Sequence, residues 1–224
     1  MINKDLTALA PDWKDCLKAV TELSKDKKNG TPLVESGKQL YDFDTICGLL
    51  FPEDKKPASA DGLEITPREV RLIEFKTGFR KKITRENFDV EKGLCKKAGE
   101  VCEDYWGLFF KKQKKDTGEL ISSIQFKAVE SYLTLQKKLL PLCPEAGEPL
   151  PLAFIVVADA DAVDGMVDIL TGLSKRKEES RTSLGQIRSS LKKYLLLLDE
   201  SGEVYCYDRV EVLTASQYAN RVNT

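Results

Sequence analysis

Histidine is absent from the 224 residues. That removes Ser-His-Asp and Cys-His triads, HExxH metalloproteases and histidine-based nucleases, together with the commonest general base. An enzyme built on this chain must work with carboxylates, lysine, a thiol, a tyrosine or a metal ion. Neither a GxxxxGK[ST] phosphate loop nor a GxGxxG turn occurs. The six cysteines, at 16, 47, 95, 102, 143 and 206, form no CxxC pair. A zinc ribbon is therefore not indicated, and buried reduced thiols are the plain expectation. No apolar run approaches the ~18 residues needed to cross a bilayer. The opening MINKDLTALAPDWKD lacks a signal-peptide core, so a cytoplasmic protein with no membrane partner is expected. A net charge of −1 gives no global attraction to a polyanion, so any such surface must be local.

What is present suits one globular domain: 42% hydrophobic and 32% charged residues. Helical spacing of Trp13, Leu17, Val20 and Leu23 predicts a first helix over 11–27, and a second is expected over 36–50. PEDKKPASA (52–60) reads as loop. Helices are expected over 88–115 and 119–140, and the Pro/Gly-rich CPEAGEPLP that follows reads as loop. LAFIVVA (152–158) is a continuous apolar run of strand length, which indicates a strand buried on both faces. Residues 161–172 and 178–192 read as helical or mixed, and the end of the chain as a hairpin around 199–202. The expected organisation is a single 1–224 domain. It has N-terminal helices over 1–50, a core over 58–160 with a helical insertion, and helices plus a C-terminal hairpin over 161–224. The element order points to a mixed α/β or α+β domain, with α/β the class expected.

Two apolar-rich runs flank a turn in DGLEITPREVRLIEFKTG (61–78). A four-residue connection, Thr66–Glu69, pairs Ile65 with Val70, Leu63 with Leu72 and Asp61 with Glu74. Alternation along each strand puts these six side chains on one face. Two like charges directly opposed are destabilising, so something must offset them. Lys76, on the same face, is one candidate, and a divalent cation held by paired oxygen ligands is the other.

Asp61…Glu74-Phe75-Lys76 resembles the D…ExK signature of the PD-(D/E)xK nuclease superfamily, and LIEFKTG is similar to the corresponding strand of its RecB-like branch. The resemblance implies a restriction-endonuclease-like fold, a mixed central sheet flanked by helices with an αβββαβ core. It implies Mg²⁺, with Mn²⁺ as an alternative, held by Asp61, Glu74 and the Phe75 carbonyl. Lys76 would orient or activate the attacking water, and the activity would be metal-assisted phosphodiester hydrolysis. Glu35 is the candidate for a further acid from a preceding helix. The Gln-x-x-x-Tyr motif of the RecB-like branch is not reproduced, since Gln125 is followed at the fourth place by Val129 and only later by Tyr132.

Downstream, KTGFRKKITR holds five basic residues and no acid. Arg80, Lys81, Lys82 and Arg85 are candidate phosphate contacts, with DNA the favoured partner over RNA; a solvated turn is the plain alternative. KKQKK (111–115) and SKRK (174–177) read as solvated ends, and Tyr105, Trp106, Phe109 and Phe110 as core in preference to base-stacking platforms. Two other readings stand beside the nuclease. One is a non-catalytic binding or immunity-type protein on the same fold. The other is a phosphatase built on Asp159 and Asp161 after LAFIVVA, for which too little chain follows; N-capping explains Asp161 more simply. The oligomeric state is left open.

Overall fold

In the computed structural model the described residues are 1–27, 29–78, 101–159, 183–195 and 206–223; those at 101–117, 183, 184, 186, 193 and 194 are described as backbone only. Strands β1 (Ile2–Lys4) and β6 (Glu145–Leu150) pair antiparallel as a separate ribbon. The main sheet has six strands: β2 (Leu17–Ala19), β3 (Gln39–Asp42), β4 (Gly62–Ile65), β5 (Val70–Lys76), β7 (Leu152–Ala158) and β8 (Arg209–Thr214), in that spatial order. The first four are successively antiparallel, whereas β5, β7 and β8 run parallel. Among the described residues five α-helices accompany them: α1 (Val20–Leu23), α2 (Phe43–Leu50), α3 (Val101–Thr134), α4 (Ser183–Leu195) and α5 (Ala215–Val222). The architecture is mixed α/β, an open mixed sheet flanked by helices, as the sequence leads one to expect.

All seven residues of β7 are buried, which is what a central strand covered on both faces requires. On one face, Leu63, Leu72, Phe154, Val156 and Val212 pack with Ile124 and Ala128 of α3 and Ile187 and Leu191 of α4. On the other, Ile73, Phe75, Ile155 and Val157 pack with Val20, Val34, Leu40 and Tyr218 of α5. Parallel neighbours need long crossovers, and α3 and α4 lie within the two that join β5 to β7 and β7 to β8.

Several local expectations are corrected. The apolar residues of 11–27 do not share one helical face. Trp13 is buried in the α3-side core and Val20 in the opposite one, so the chain passes the sheet edge as 3₁₀ turns (Leu6–Cys16), then β2, then α1. The expected helix over 36–50 is a strand followed by a helix, because Asp42 ends β3 and caps α2. Its carboxylate accepts from the Thr45 amide at 2.9 Å and from the Thr45 hydroxyl and Lys18 ammonium at 2.6 Å each. Burial alone would raise the Asp42 pKa, but these donors hold it below the ordinary value. Asp42→Ala is expected to lower stability by about 1–2 kcal/mol in urea denaturation, the usual cost of losing such a cap. An effect within about 0.3 kcal/mol would show that the cap is dispensable.

CPEAGEPLP is not loop, since Glu145–Leu150 forms β6; proline is compatible with so exposed a two-stranded edge. Val101–Thr134 is one helix where two were expected from 88 to 140, and it runs on through a π turn to Leu139. The first residues of the expected C-terminal hairpin, Lys192–Leu195, close α4 instead, and Arg209–Thr214 pairs in parallel with β7. The expected hairpin turn, 199–202, lies outside the described residues, as do 79–100 and 160–182. Cys16, Cys47 and Cys143 are buried free thiols and Cys206 is a half-buried one. No described helix is long and apolar enough to cross a membrane.

At the turn end of the β4–β5 hairpin a chain of ion pairs crosses the sheet. Lys38 meets Glu64 (2.5 Å), Glu64 meets Arg71 (2.8 Å), and Arg71 meets Glu69 (2.5 Å). Glu69 in turn meets Arg209 (2.5 Å), Arg209 meets Glu211, and Glu211 meets Arg221 (2.6 Å). Ala153 lies in register between Arg71 and Arg209, leaving room for the two guanidinium groups to share Glu69.

Candidate functional site

The predicted hairpin register holds from Gly62↔Ile73 to Ile65↔Val70. At Asp61 it breaks. The Asp61 amide donates to the Ile73 carbonyl at 3.0 Å, although Ile73 is the partner of Gly62, so the strand begins with a one-residue slip. The Asp61 carboxylate then takes the place of a backbone acceptor, receiving the Phe75 amide on Oδ2 at 2.7 Å. Asp61 and Glu74 are thus brought together at the end of the hairpin away from the turn, as expected, but through this side-chain bond and not through a simple opposed pair.

The cation that offsets their repulsion is Lys127 of α3, which the sequence did not single out. Its ammonium donates to Glu74 Oε2 at 2.8 Å and to Asp61 Oδ1 at 3.3 Å. Both oxygens therefore lie within about 6 Å of one another, against ligand distances of about 2 Å around Mg²⁺. Side chains three and four residues apart share a helix face, and the next two positions of that face fix the chain before Asp61. Ser131 Oγ accepts the Ala60 amide at 2.8 Å, and Glu130 accepts the Ala58 amide. Ser59 in turn donates to Asp44 of α2 at 2.6 Å. Nothing in the sequence marks Lys127: a lysine beside the apolar stripe Ile124, Ala128, Leu135 reads as an ordinary boundary residue.

Glu74 is 0% exposed, and its Oε1 has no hydrogen-bond partner among the described residues. Burial, then the charge of Asp61, push its carboxyl up to about 8, with Lys127 pulling the other way. Burial opposes the charge on Lys127, but Glu74 and Asp61 outweigh it and hold its pKa above the ordinary lysine value. Lys76 lies further along β5, on the same side as Glu74 by strand alternation. Burial, aided by the like charge of Lys127, lowers its pKa against the pull of Glu74 and Asp61.

Past Lys76 the turn is held from two sides. Asp159 Oδ2 accepts the Gly78 amide at 2.9 Å, and the Thr77 hydroxyl donates to Asp26 at 2.6 Å. Gly78 has φ +107, a backbone state that favours glycine, which explains why the KTG run ends as it does. The Asp159 amide donates to the Lys76 carbonyl on the β7 side at 3.2 Å. Alternation along β5 then turns the Phe75 carbonyl to the β4 side, toward Asp61. The Phe75 ring lies on the opposite face of the sheet, edge-on to Tyr218 at 5.7 Å.

Of the other predicted residues, Glu35 is exposed on the loop between α1 and β3. Among the described residues no three His, Cys, Asp or Glu side chains gather as a metal-binding group, so Glu35 adds no third ligand to the pair. Arg80, Lys81, Lys82 and Arg85 lie outside the described residues, as does Asp161. Gln125 faces away from the acids, donating to Ser190 of α4 at 3.2 Å. No family model, curated protein or solved structure matches this chain.

Proposed function

We propose that the chain is a divalent-metal-dependent nuclease on a restriction-endonuclease-like fold, a member of the PD-(D/E)xK superfamily. One observation carries this reading. A wholly buried Glu74, joined to Asp61 through Lys127, keeps one oxygen with no partner among the described residues, at the end of a hairpin whose second strand bears Lys76. Burying a carboxylate oxygen without a donor is costly, and a cation at this point would relieve it. The element order also supports the reading. Strands β3, β4 and β5, then α3, then β7 parallel to β5 follow the αβββαβ pattern, with α2 inserted between the first two strands.

Asp61, Glu74 and the Phe75 carbonyl are the residues that fit Mg²⁺ or Mn²⁺. When bound, such an ion supplies Lewis-acid activation of water and charge stabilisation at phosphorus. Lys76, whose proton is more weakly held than that of an ordinary lysine, orients the attacking water and faces the charge that develops on the phosphate. The Asp159 and Asp26 clamps fix the backbone that carries it. Lys76, Lys127 and the exposed Lys27, which lies within electrostatic range of Lys76, place three cations near the acid pair, where an anionic substrate would meet them. DNA is the substrate we favour over RNA.

The second reading, a non-catalytic binding or immunity-type protein, draws on the same geometry. Asp61, Lys127 and Glu74 form an ion triad that could serve structure alone. Incubating plasmid, single-stranded DNA and RNA with Mg²⁺, Mn²⁺ or EDTA separates the two. Metal-dependent cutting is expected, reduced at least about 100-fold in Asp61→Ala and Lys76→Ala. Cutting that persists in both variants rejects the site, and no cutting of any substrate favours the binding protein.

A further inference from the structure

Lys127 stands where a shared cation would stand. Its ammonium is hydrogen-bonded to both carboxylates, one of them fully buried, and it comes from a helix that also holds the segment leading to Asp61. Four hydrogen bonds from three residues of α3, Lys127, Glu130 and Ser131, therefore fix the spacing between helix and hairpin, so the ammonium does not arrive between the acids by the accident of a mobile surface side chain. Its side chain retains 25% exposure and that of Asp61 20%, against 0% for Glu74, so Lys127 and Asp61 border solvent where Glu74 does not. A metal ion and an ammonium cannot both occupy the face that Asp61 and Glu74 present to each other. Hard carboxylate oxygens prefer a divalent ion, but that ion must overcome both the resident ion pairs and the like charge.

We infer that Lys127 is a built-in counter-ion that holds the acid pair together in the metal-free protein and competes directly with the divalent ion for it. This rests on the reading of Asp61 and Glu74 as metal ligands. Metal binding displaces the ammonium from Glu74 Oε2 and Asp61 Oδ1. The freed cation remains tethered to α3 at the rim of the site, where a phosphate would meet it. The competition sets a threshold: the site accepts metal only where the ion outweighs the resident lysine.

Mn²⁺ binding, followed by calorimetry and by the electron paramagnetic resonance of the free ion, tests this without any substrate. Lys127→Met keeps the length and apolar stem but not the charge, and is expected to bind Mn²⁺ about 10–100-fold more tightly than the parent chain. Lys127→Arg keeps the charge and is expected to bind no more tightly than the parent. If Lys127→Met does not fold without metal, the outcome is read as Mn²⁺-dependent recovery of its circular dichroism; recovery supports the inference and its absence overturns it. Equal or weaker Mn²⁺ affinity in a folded Lys127→Met overturns the competition while leaving the metal site standing. Failure of both the parent and Lys127→Met to bind Mn²⁺ overturns the competition and the metal site together.

Discussion

Glu74→Gln is expected to lose metal-dependent cleavage by at least about 100-fold while making the metal-free protein more stable. The two effects share a cause. Glu74 is fully buried, its Oε1 has no partner among the described residues, and its pKa stands far above that of a free glutamate. Glutamine has the same shape and can still accept from Lys127, but carries no charge that burial penalises. Replacing a buried charge by a well-packed neutral group commonly stabilises by about 1–4 kcal/mol, and part of that is offset here by the weaker bond to Lys127. A net gain of about 1–3 kcal/mol at pH 8 is the expected result of urea denaturation. Loss of activity together with a clear loss of stability would point instead to Glu74 as a structural partner of Lys127.

The pH dependence of stability should carry the same signature. Glu74 has a raised pKa in the folded protein, about 8 against 4.5 for the free group. Its contribution is therefore fully present below pH 4.5 and is lost as pH rises toward about 8, because the unfolded chain gives up the proton first. Asp42 and Glu69 have the opposite sign. For both, burial works to raise the pKa, but hydrogen bonds from Lys18 and Thr45, and from Arg71 and Arg209, lower it overall. Their stabilisation is complete above the unfolded carboxylate range and fades as pH falls through their folded values. Stability of the metal-free protein should then peak on the acidic side, near pH 5. Mg²⁺ should restore part of the loss at pH 8, since it requires the deprotonated carboxylate. Urea titrations between pH 5 and 9 on the parent and on Glu74→Gln measure this directly. Parallel curves for the two proteins would remove Glu74 as the cause.

The hairpin was readable because strand alternation and a four-residue turn leave little freedom, and its apolar pairs fall in the predicted register. The buried strand β7 was readable from seven apolar residues in succession. The slip at Asp61 was not, because it follows from a carboxylate capturing the Phe75 amide, which residue spacing does not encode. Lys127 was hidden for a related reason. It lies 53 residues beyond Glu74, and only the packing of α3 on the sheet makes them neighbours. The short strands β2 and β3 were missed since three or four residues show little period, and apolar positions serving two different cores imitate a helical face. The start of α5 did carry a local signal. Thr214 and Gln217 form a capping box, with reciprocal bonds of 3.1 and 3.0 Å.

The ion-pair chain from Lys38 to Arg221 gives the site a reference within the same sheet. At the turn end of β5, every carboxylate of that chain meets one or more cations, and Glu69 is shared between two arginines. Three residues beyond Arg71 on the same strand, a buried glutamate has an oxygen that no described residue meets. Among the described residues the unmet charge is thus local: it lies at one end of one strand, the other buried polar atom without a partner being the neutral Tyr218 hydroxyl. Natural sequences concentrate such conflict where a ligand resolves it. On that view the well-matched end of β5 serves as an anchor, and substitutions there should be felt in folding, whereas those at the other end should be felt in what the protein binds.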